Sequence, residues 1–459
     1  MRDIRLQTIA PSRRARLGPF WRRDKYPSSM TSISIPRLPV VPDPLRRIKL
    51  PKDLDAVSTW DAEEEPSSAG LEPKQIESIW NATRAVYRSG VHPGIAVCVR
   101  RHGKVVLDRS IGHASGNGPG ESGPAVLLSP QTPHCIFSAS KAVTAMVVHL
   151  LDQQGALHIA DRVADYIPEY SRHGKSAITI EHVLSHRAGV ANIPGDAFDL
   201  DRAGDEEFIL EILCDAKPTS RPGKSLAYHA VSGGFIMAEV VKRITGKTIR
   251  EYLAEQILDP LGFRWTNYGV EDADVGAVAR AYPSGAPTLP PLSNLLTRAL
   301  GRPADEITEI SNDPRFLTSI VPAGNTITTA NELSRYFELL RRGGELDGKR
   351  IFEPRTLRRA ISERSYLEVD FTLGFPSRYS CGFMLGARYL SLFGPDTELA
   401  FGHLGFTNIL GWADPERALS VAIITSGKPI LYPELPTFWN LMRTIGAAAP
   451  KVGPEHRAF

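Results

Sequence analysis

The sequence predicts an α+β fold in which one antiparallel sheet, flanked by helices, is built from both ends of the chain and a mainly helical lobe is inserted between them. Three observations predict it. Strand patterns occur at residues 94–108 and return only at 381–385, 407–414 and 419–426. The stretch from about 156 to 265 is mainly helical with Pro- and Gly-rich loops, and a strongly apolar helix that opens around Ser138 stands where the first strands give way to it.

Taken in order, residues 1–70 read as a basic, Pro-rich arm. Arg13-Arg14-Ala15-Arg16 and Arg22-Arg23-Asp24-Lys25 are basic clusters, Pro27, Pro36, Pro39, Pro42, Pro44 and Pro51 favour extended chain, and Asp61–Ser68 reads as a solvated linker. An Arg-rich, acid-poor start is compatible with an organelle transit peptide or a surface-binding arm, but a flexible extension, or an upstream-extended start with Met30 as initiator, is the simpler expectation. The folded domain is expected over 71–450, its helical lobe over about 148–330, with 451–459 as a C-terminal tail.

Leu71 to Arg88 has helical periodicity, and Gly94–Arg100 with Lys104–Asp108 reads as a hairpin around His102-Gly103. Gly112–Pro124 reads as a loop. The apolar helix follows, with Thr132-Pro133 as its start signal and Gly155 as its stop. In the middle region a turn runs into Val231-Ser232-Gly233-Gly234-Phe235 and then a helix to Gly246, and residues 283–315, Pro-rich with short helical pieces, suit a flap or rim. Thr328–Gly344 is an amphipathic helix with Leu333, Tyr336, Phe337 and Leu340 on one side, and Pro433–Ile445 is a closing helix.

The net charge of +3 over 459 residues conceals an asymmetry. Residues 1–50 hold 12 Lys/Arg against 3 Asp/Glu, so the rest of the chain is mildly acidic and argues against a nucleic-acid-binding core. Four scattered cysteines, Cys98, Cys135, Cys214 and Cys381, suggest neither a zinc site nor a disulfide framework. No stretch approaches the ~18 apolar residues of a membrane span, and the first 30 residues lack the apolar core of a secretory signal. A soluble, cytoplasmic protein is the expectation.

Chemistry enters with Ser138-Ala139-Ser140-Lys141. Ser138 and Lys141, three residues apart at a helix start, share a face, so an amine can reach a hydroxyl. Burial lowers an amine's pKa, and a neutral amine can take the serine proton as the oxygen attacks. Alone, the tetrapeptide arises by chance in many chains. Two other candidates fail: His182-x-x-x-His186 has Val183 where a metalloprotease places Glu, leaving His186 as a packed histidine closing a helix at Gly189, and Gly246-Lys247-Thr248 lacks the first glycine of a phosphate loop. The Gly-x-Ser-x-Gly elbow of α/β-hydrolases is absent.

With Tyr228-His229-Ala230 about 90 residues beyond Ser138, and His403-Leu404-Gly405 further on, the chain resembles the serine β-lactamase and penicillin-binding-protein superfamily. Within it the resemblance is to the carboxylesterases with a class C β-lactamase fold, the family VIII esterases. Supporting similarity lies in Val183–Gly189, Pro222-Gly223, Gly343–Gly348 and Trp412–Glu416, and it covers roughly residues 71–450. The resemblance implies a β-lactamase/transpeptidase-like fold. It implies Ser138 as nucleophile, Lys141 and Tyr228 as its acid/base partners in an order left open, and the amides of Ser138 and Phe406 as an oxyanion hole. His403 and Gly405 would lie in the third motif, on the substrate-binding strand, with His403 either participating or merely packed.

The departures from the pattern bear on substrate. Ala230 and His403 stand where β-lactamases and peptidases of this fold carry Asn and Lys, and losing that amide and fixed charge favours neutral esters over β-lactams or peptidoglycan stems. The expected activity is hydrolysis of short to medium acyl esters, without metal or cofactor. The partner is a small-molecule ester, with no nucleic acid and an open oligomeric state. A β-lactamase or D-amino-acid peptidase using the same residues, an acyltransferase, and a non-catalytic scaffold are the alternatives. The natural substrate's contacts are expected from loops near 190–220 and 283–315.

Overall fold

The computed structural model describes residues 43–191, 200–202, 205–431, 433 and 435–458. The basic clusters of residues 1–42, and part of the 190–220 loop, lie outside the described residues. The main sheet uses β1 (Ser58–Trp60), β2 (Gly94–Arg101), β3 (Lys104–Ser115), β4 (Ser365–Val369), β5 (Pro376–Tyr379), β6 (Met384–Leu385), β7 (Phe401–Gly405), β8 (Ile409–Asp414) and β9 (Leu419–Thr425). Their spatial order is β1-β3-β2-β9-β8-β7-β6-β5-β4, antiparallel throughout, with a short strand Val126–Leu127 added to β3. β2 and β9, from opposite ends of the chain, are central neighbours with Val99 opposite Val421. The sheet is therefore built from both ends of the chain, as the sequence predicts.

The β2–β3 turn takes left-handed backbone at His102 (φ 52°) and Gly103 (φ 85°), the geometry that matches strand twist in a two-residue hairpin. β2, β8 and β9 are buried along their whole length, so they read as continuous apolar runs rather than alternating ones. On one face Ala96, Cys98, Ala422 and Ile424 pack in the core that holds the helices α2 (Ser140–Gln153) and α6 (Ala330–Arg341); α3 (Ser232–Thr245), α4 (Leu292–Leu300) and α5 (Ala304–Ile310) come between these in the chain. On the other face Val97, Val99, Val421 and Ile423 pack against α1 (Pro73–Arg88) and α7 (Leu435–Ala448). α6 starts where Thr329 accepts the Glu332 amide, and it buries Leu333, Tyr336, Phe337 and Leu340 as its periodicity predicts.

Two expectations are corrected. Residues 43–70 do not form a loose arm: Leu45, Ile48, Leu54 and Val57 are buried, β1 pairs with β3, and Glu63 forks onto the Arg109 guanidinium inside the supposed linker. Their apolar residues are scattered among prolines without a period, and they are buried by docking on the sheet edge, which a local pattern does not reveal. The loop expected from Gly112 begins later, because β3 continues to Ser115.

A small second sheet of Asn267–Tyr268, Thr326–Thr328 and His134–Cys135 anchors the chain just before Ser138. The Ile136 amide donates to the Thr326 carbonyl, and the Ser140 hydroxyl takes the Thr326 amide while donating to the Phe137 carbonyl.

Candidate active site

Ser138 lies in a 3-10 turn, Phe137–Ala139, that runs directly into α2. Lys141 follows three residues on, in the first turn of α2, on the face that Ser138 shares. Phe137 carries φ 48°, a left-handed conformation that is strained for a bulky residue and turns the chain sharply before the hydroxyl.

Lys141 Nζ is 3.2 Å from Ser138 Oγ, 2.6 Å from the Ala230 carbonyl and 3.0 Å from the Ala323 carbonyl. Burial lowers its pKa from the ordinary 10.5 to about 7. The neutral amine can keep its two N–H groups on the two carbonyls, leaving the lone pair to face the Ser138 hydroxyl. The Ala323 wall is fixed by α3, where a Cβ on Gly234 would come 2.6 Å from the Ala323 nitrogen; only glycine allows that approach.

Tyr228 is buried beside this pair, with Lys141 Nζ 4.8 Å from its ring centroid. Burial pushes its hydroxyl pKa well above the ordinary 10, a hydrogen bond with the Ser138 side chain pulls it partly back, and the Asp370 charge raises it. Two residues hold its backbone. Asp370 Oδ1 accepts the amides of Tyr228, Thr372 and Leu373, and the His186 carbonyl accepts the Ala227 amide.

His186 packs its ring 4.6 Å from that of Tyr228, and its Nδ1 accepts the His229 amide at 3.2 Å. Burial drives it well below the ordinary histidine pKa, with the charges of His229, Lys141 and His403 acting the same way, so the ring is a neutral acceptor. His186 has φ 62° and lies past the end of the short helix Ile180–Leu184, so it does not share a helix face with His182.

His403 sits on β7, opposite Gly411 of β8. Its ring is 6.3 Å from the Tyr228 ring, and its Nδ1–H donates to the Leu404 carbonyl at 2.8 Å. Burial, then the Lys141 charge, lowers its pKa to about 3, so it is neutral where a cation would bind a carboxylate. Gly405 lets β7 lie against the turn: a Cβ there would meet the Ile136 carbonyl oxygen at 2.3 Å. Phe406, next in the chain, packs its ring 5.6 Å from that of Phe137. Among the described residues, neither the Ser138 nor the Phe406 amide donates a turn, loop or cap hydrogen bond.

A cavity of about 100 Å³ opens at Ser138, lined mainly by Val231, Ile307, Ile310, Phe316, Val321 and Phe406. α4 and α5, within the stretch expected as a rim, form one wall, with Arg302 at its margin paired to Glu306. The structure thus places Ser138, Lys141, Tyr228, His403 and Phe406 at one site. Asp370 escaped the sequence reading. Its signal is Asp370-Phe371-Thr372-Leu373-Gly374, an acidic residue followed by a turn that its own side chain can cap.

The Beta-lactamase family profile matches residues 81–434. The esterase/beta-lactamase LipL of Mycobacterium tuberculosis is 28% identical over 336 residues, covering 69% of this chain and 76% of that protein. A penicillin-binding-protein homologue from Caulobacter crescentus superposes with a TM-score of 0.69 at 27% identity, covering 83% of this chain and 99% of the other. A family VIII carboxylesterase gives the same TM-score at 25% identity over 81% of this chain and 97% of its own.

Proposed function

The chain belongs to the beta-lactamase family, and from that premise we propose that it is a serine hydrolase that cleaves short to medium acyl carboxylic esters through an acyl-enzyme on Ser138. The observation that carries the reading is the Lys141 amine, poised at 3.2 Å from the Ser138 hydroxyl with its N–H groups committed to two carbonyls. An amine with a pKa of about 7 has its lone pair free at neutral pH, whereas the raised pKa of Tyr228 keeps that phenol protonated. Lys141 is therefore the base and Tyr228 the proton relay.

In acylation, Ser138 Oγ bonds to the ester carbonyl carbon as its proton passes to Lys141. The carbonyl oxygen becomes an oxyanion held by the amides of Ser138 and Phe406, donors that each contribute about 3 kcal/mol in comparable sites. Tyr228 gives its proton to the departing alkoxide and regains one from the Lys141 ammonium, so the alcohol leaves neutral. Water then attacks the acyl-enzyme, its proton returning through Tyr228 and Lys141, and the Ser138 Oγ–acyl bond breaks to release the acid.

Substrate preference follows from two features. The cavity beside Ser138 is apolar, and His403 is a neutral ring in place of a cation, so a neutral ester with an apolar acyl chain is favoured over a substrate that must be held by its carboxylate. LipL is named for both esterase and β-lactamase activity, which makes β-lactam hydrolysis the second reading, weakened here by the uncharged His403. The test is hydrolysis of p-nitrophenyl acetate and butyrate beside nitrocefin, by wild type and by Ser138→Ala. Ester turnover that exceeds nitrocefin turnover and vanishes in the variant supports the reading. Equal turnover in both proteins overturns it.

A further inference from the structure

Lys428 is a buried lysine that the proposed acyl transfer does not use. It follows β9, the residue is 3% exposed, and its Nζ donates to the Thr425 carbonyl. An amine removed from water with one hydrogen-bond acceptor among the described residues is unfavourable where an apolar side chain would fill the same space, so its retention at this place calls for a role.

Its surroundings are the two walls of the Ser138 site. Nζ lies 5.0 Å from the ring centroid of Phe137, the residue with φ 48° that precedes Ser138, and that same ring packs against Phe406. The Thr425 hydroxyl meets the carbonyls of Thr407 and Asn408, each at 3.3 Å, and the Thr407 hydroxyl donates to the Pro429 carbonyl at 3.0 Å. Segment 425–429 therefore grips the turn after β7 from two sides, and Lys428 joins that segment to the Phe137 ring. The groups whose charges act on Lys428, or feel its charge, are His92, His134 and Cys135. Burial keeps both histidines neutral, with the Lys428 charge acting in the same direction, and the Cys135 thiol bonds to the Gly324 carbonyl.

We propose that Lys428 is a positioning residue for the oxyanion hole, clamping the Phe137–Ser138 turn to the Phe406–Asn408 turn so that the Ser138 and Phe406 amides converge on one oxygen. The proposal rests on the oxyanion role given to those two amides above.

The test measures two rates in wild type, Lys428→Met and Lys428→Arg: p-nitrophenyl butyrate turnover, and phosphonylation of Ser138 by an alkyl fluorophosphonate, in which the Ser138 Oγ–P bond forms as fluoride leaves. Lys428→Met is expected to lower kcat and the phosphonylation rate together by at least ~10-fold, a fraction of the ~10²-fold lost with an oxyanion donor, while KM stays within about twofold. Lys428→Arg, which keeps a donor and a cation, is expected to recover most of the loss. If Lys428→Met does not fold, Phe137→Leu, which removes the ring shared by Lys428 and Phe406, is expected to show the same joint loss. A folded Lys428→Met, or in its place a folded Phe137→Leu, with unchanged phosphonylation overturns the clamp alone. A wild type that is never labelled at Ser138 overturns both the clamp and the hydrolase reading.

Discussion

Lys141 Nζ lies 2.6 Å from the Ala230 carbonyl, the same backbone that follows Tyr228-His229 in the second motif. The proposed base is thus tied to the stretch of chain that carries its proposed relay, and with the Ala323 carbonyl at 3.0 Å the amine has little freedom to turn its lone pair away from Ser138. Lys141→Met is expected to reduce kcat/KM for p-nitrophenyl butyrate by ~10³-fold or more, and to lower the thermal midpoint as well, since the buried Ala230 and Ala323 carbonyls lose their donor.

The pH profile follows from the sign of the Lys141 shift. Burial lowers its pKa to about 7, so below that value the amine is protonated and its lone pair is lost. kcat/KM is expected to fall about tenfold per pH unit on the acid side with a midpoint near 7. His403, neutral down to about 3, adds no limb between pH 5 and 8, so His403→Asn should leave the midpoint in place.

His403→Lys puts a cation where this chain has a neutral ring. The ratio of nitrocefin to p-nitrophenyl butyrate turnover is expected to rise by about tenfold, the size of one added charge-assisted hydrogen bond to a carboxylate. An unchanged ratio in the folded variant would show that the third-motif charge does not set substrate class.

Asp370 accepts three amides with a single oxygen, one of them from Tyr228. Asp370→Ala leaves those donors buried without that acceptor and is expected to cost about 1–3 kcal/mol in chemical denaturation. Because the Tyr228 backbone loosens, kcat should fall more than KM rises.

Enlarging the acyl cavity tests its assignment. Ile310 lines it, and Ile310→Ala is expected to shift preference toward longer chains, seen as a higher ratio of p-nitrophenyl octanoate to butyrate turnover. The same ratio in both proteins would place the acyl chain elsewhere.

The parts legible in the sequence were those with a local signature. Ser138 and Lys141 are three apart on one turn, α6 repeats its apolar residues at helical spacing, and the His102-Gly103 hairpin announces itself by its turn. Asp370 meets Tyr228 across 142 residues, and no local pattern records such a contact. β1, β4 and β5 have three to five residues and β7 is Phe-Gly-His-Leu-Gly, too short or too glycine-rich for an alternating pattern, so β7 was anticipated only through the family's third motif. His186 was read as packed; it is buried, but it packs on Tyr228, which its Val-Leu-Ser-His context does not disclose.

The central claim is a covalent acyl-enzyme on Ser138, and trapping it is the most direct test. Wild type and Ser138→Ala are quenched in acid within the first turnovers of p-nitrophenyl butyrate, digested, and analysed by mass spectrometry. The account predicts one butyryl group on the wild-type peptide that contains Ser138 and none on the variant. Ester turnover with no acyl group on that peptide, or an acyl group on another residue, would contradict it.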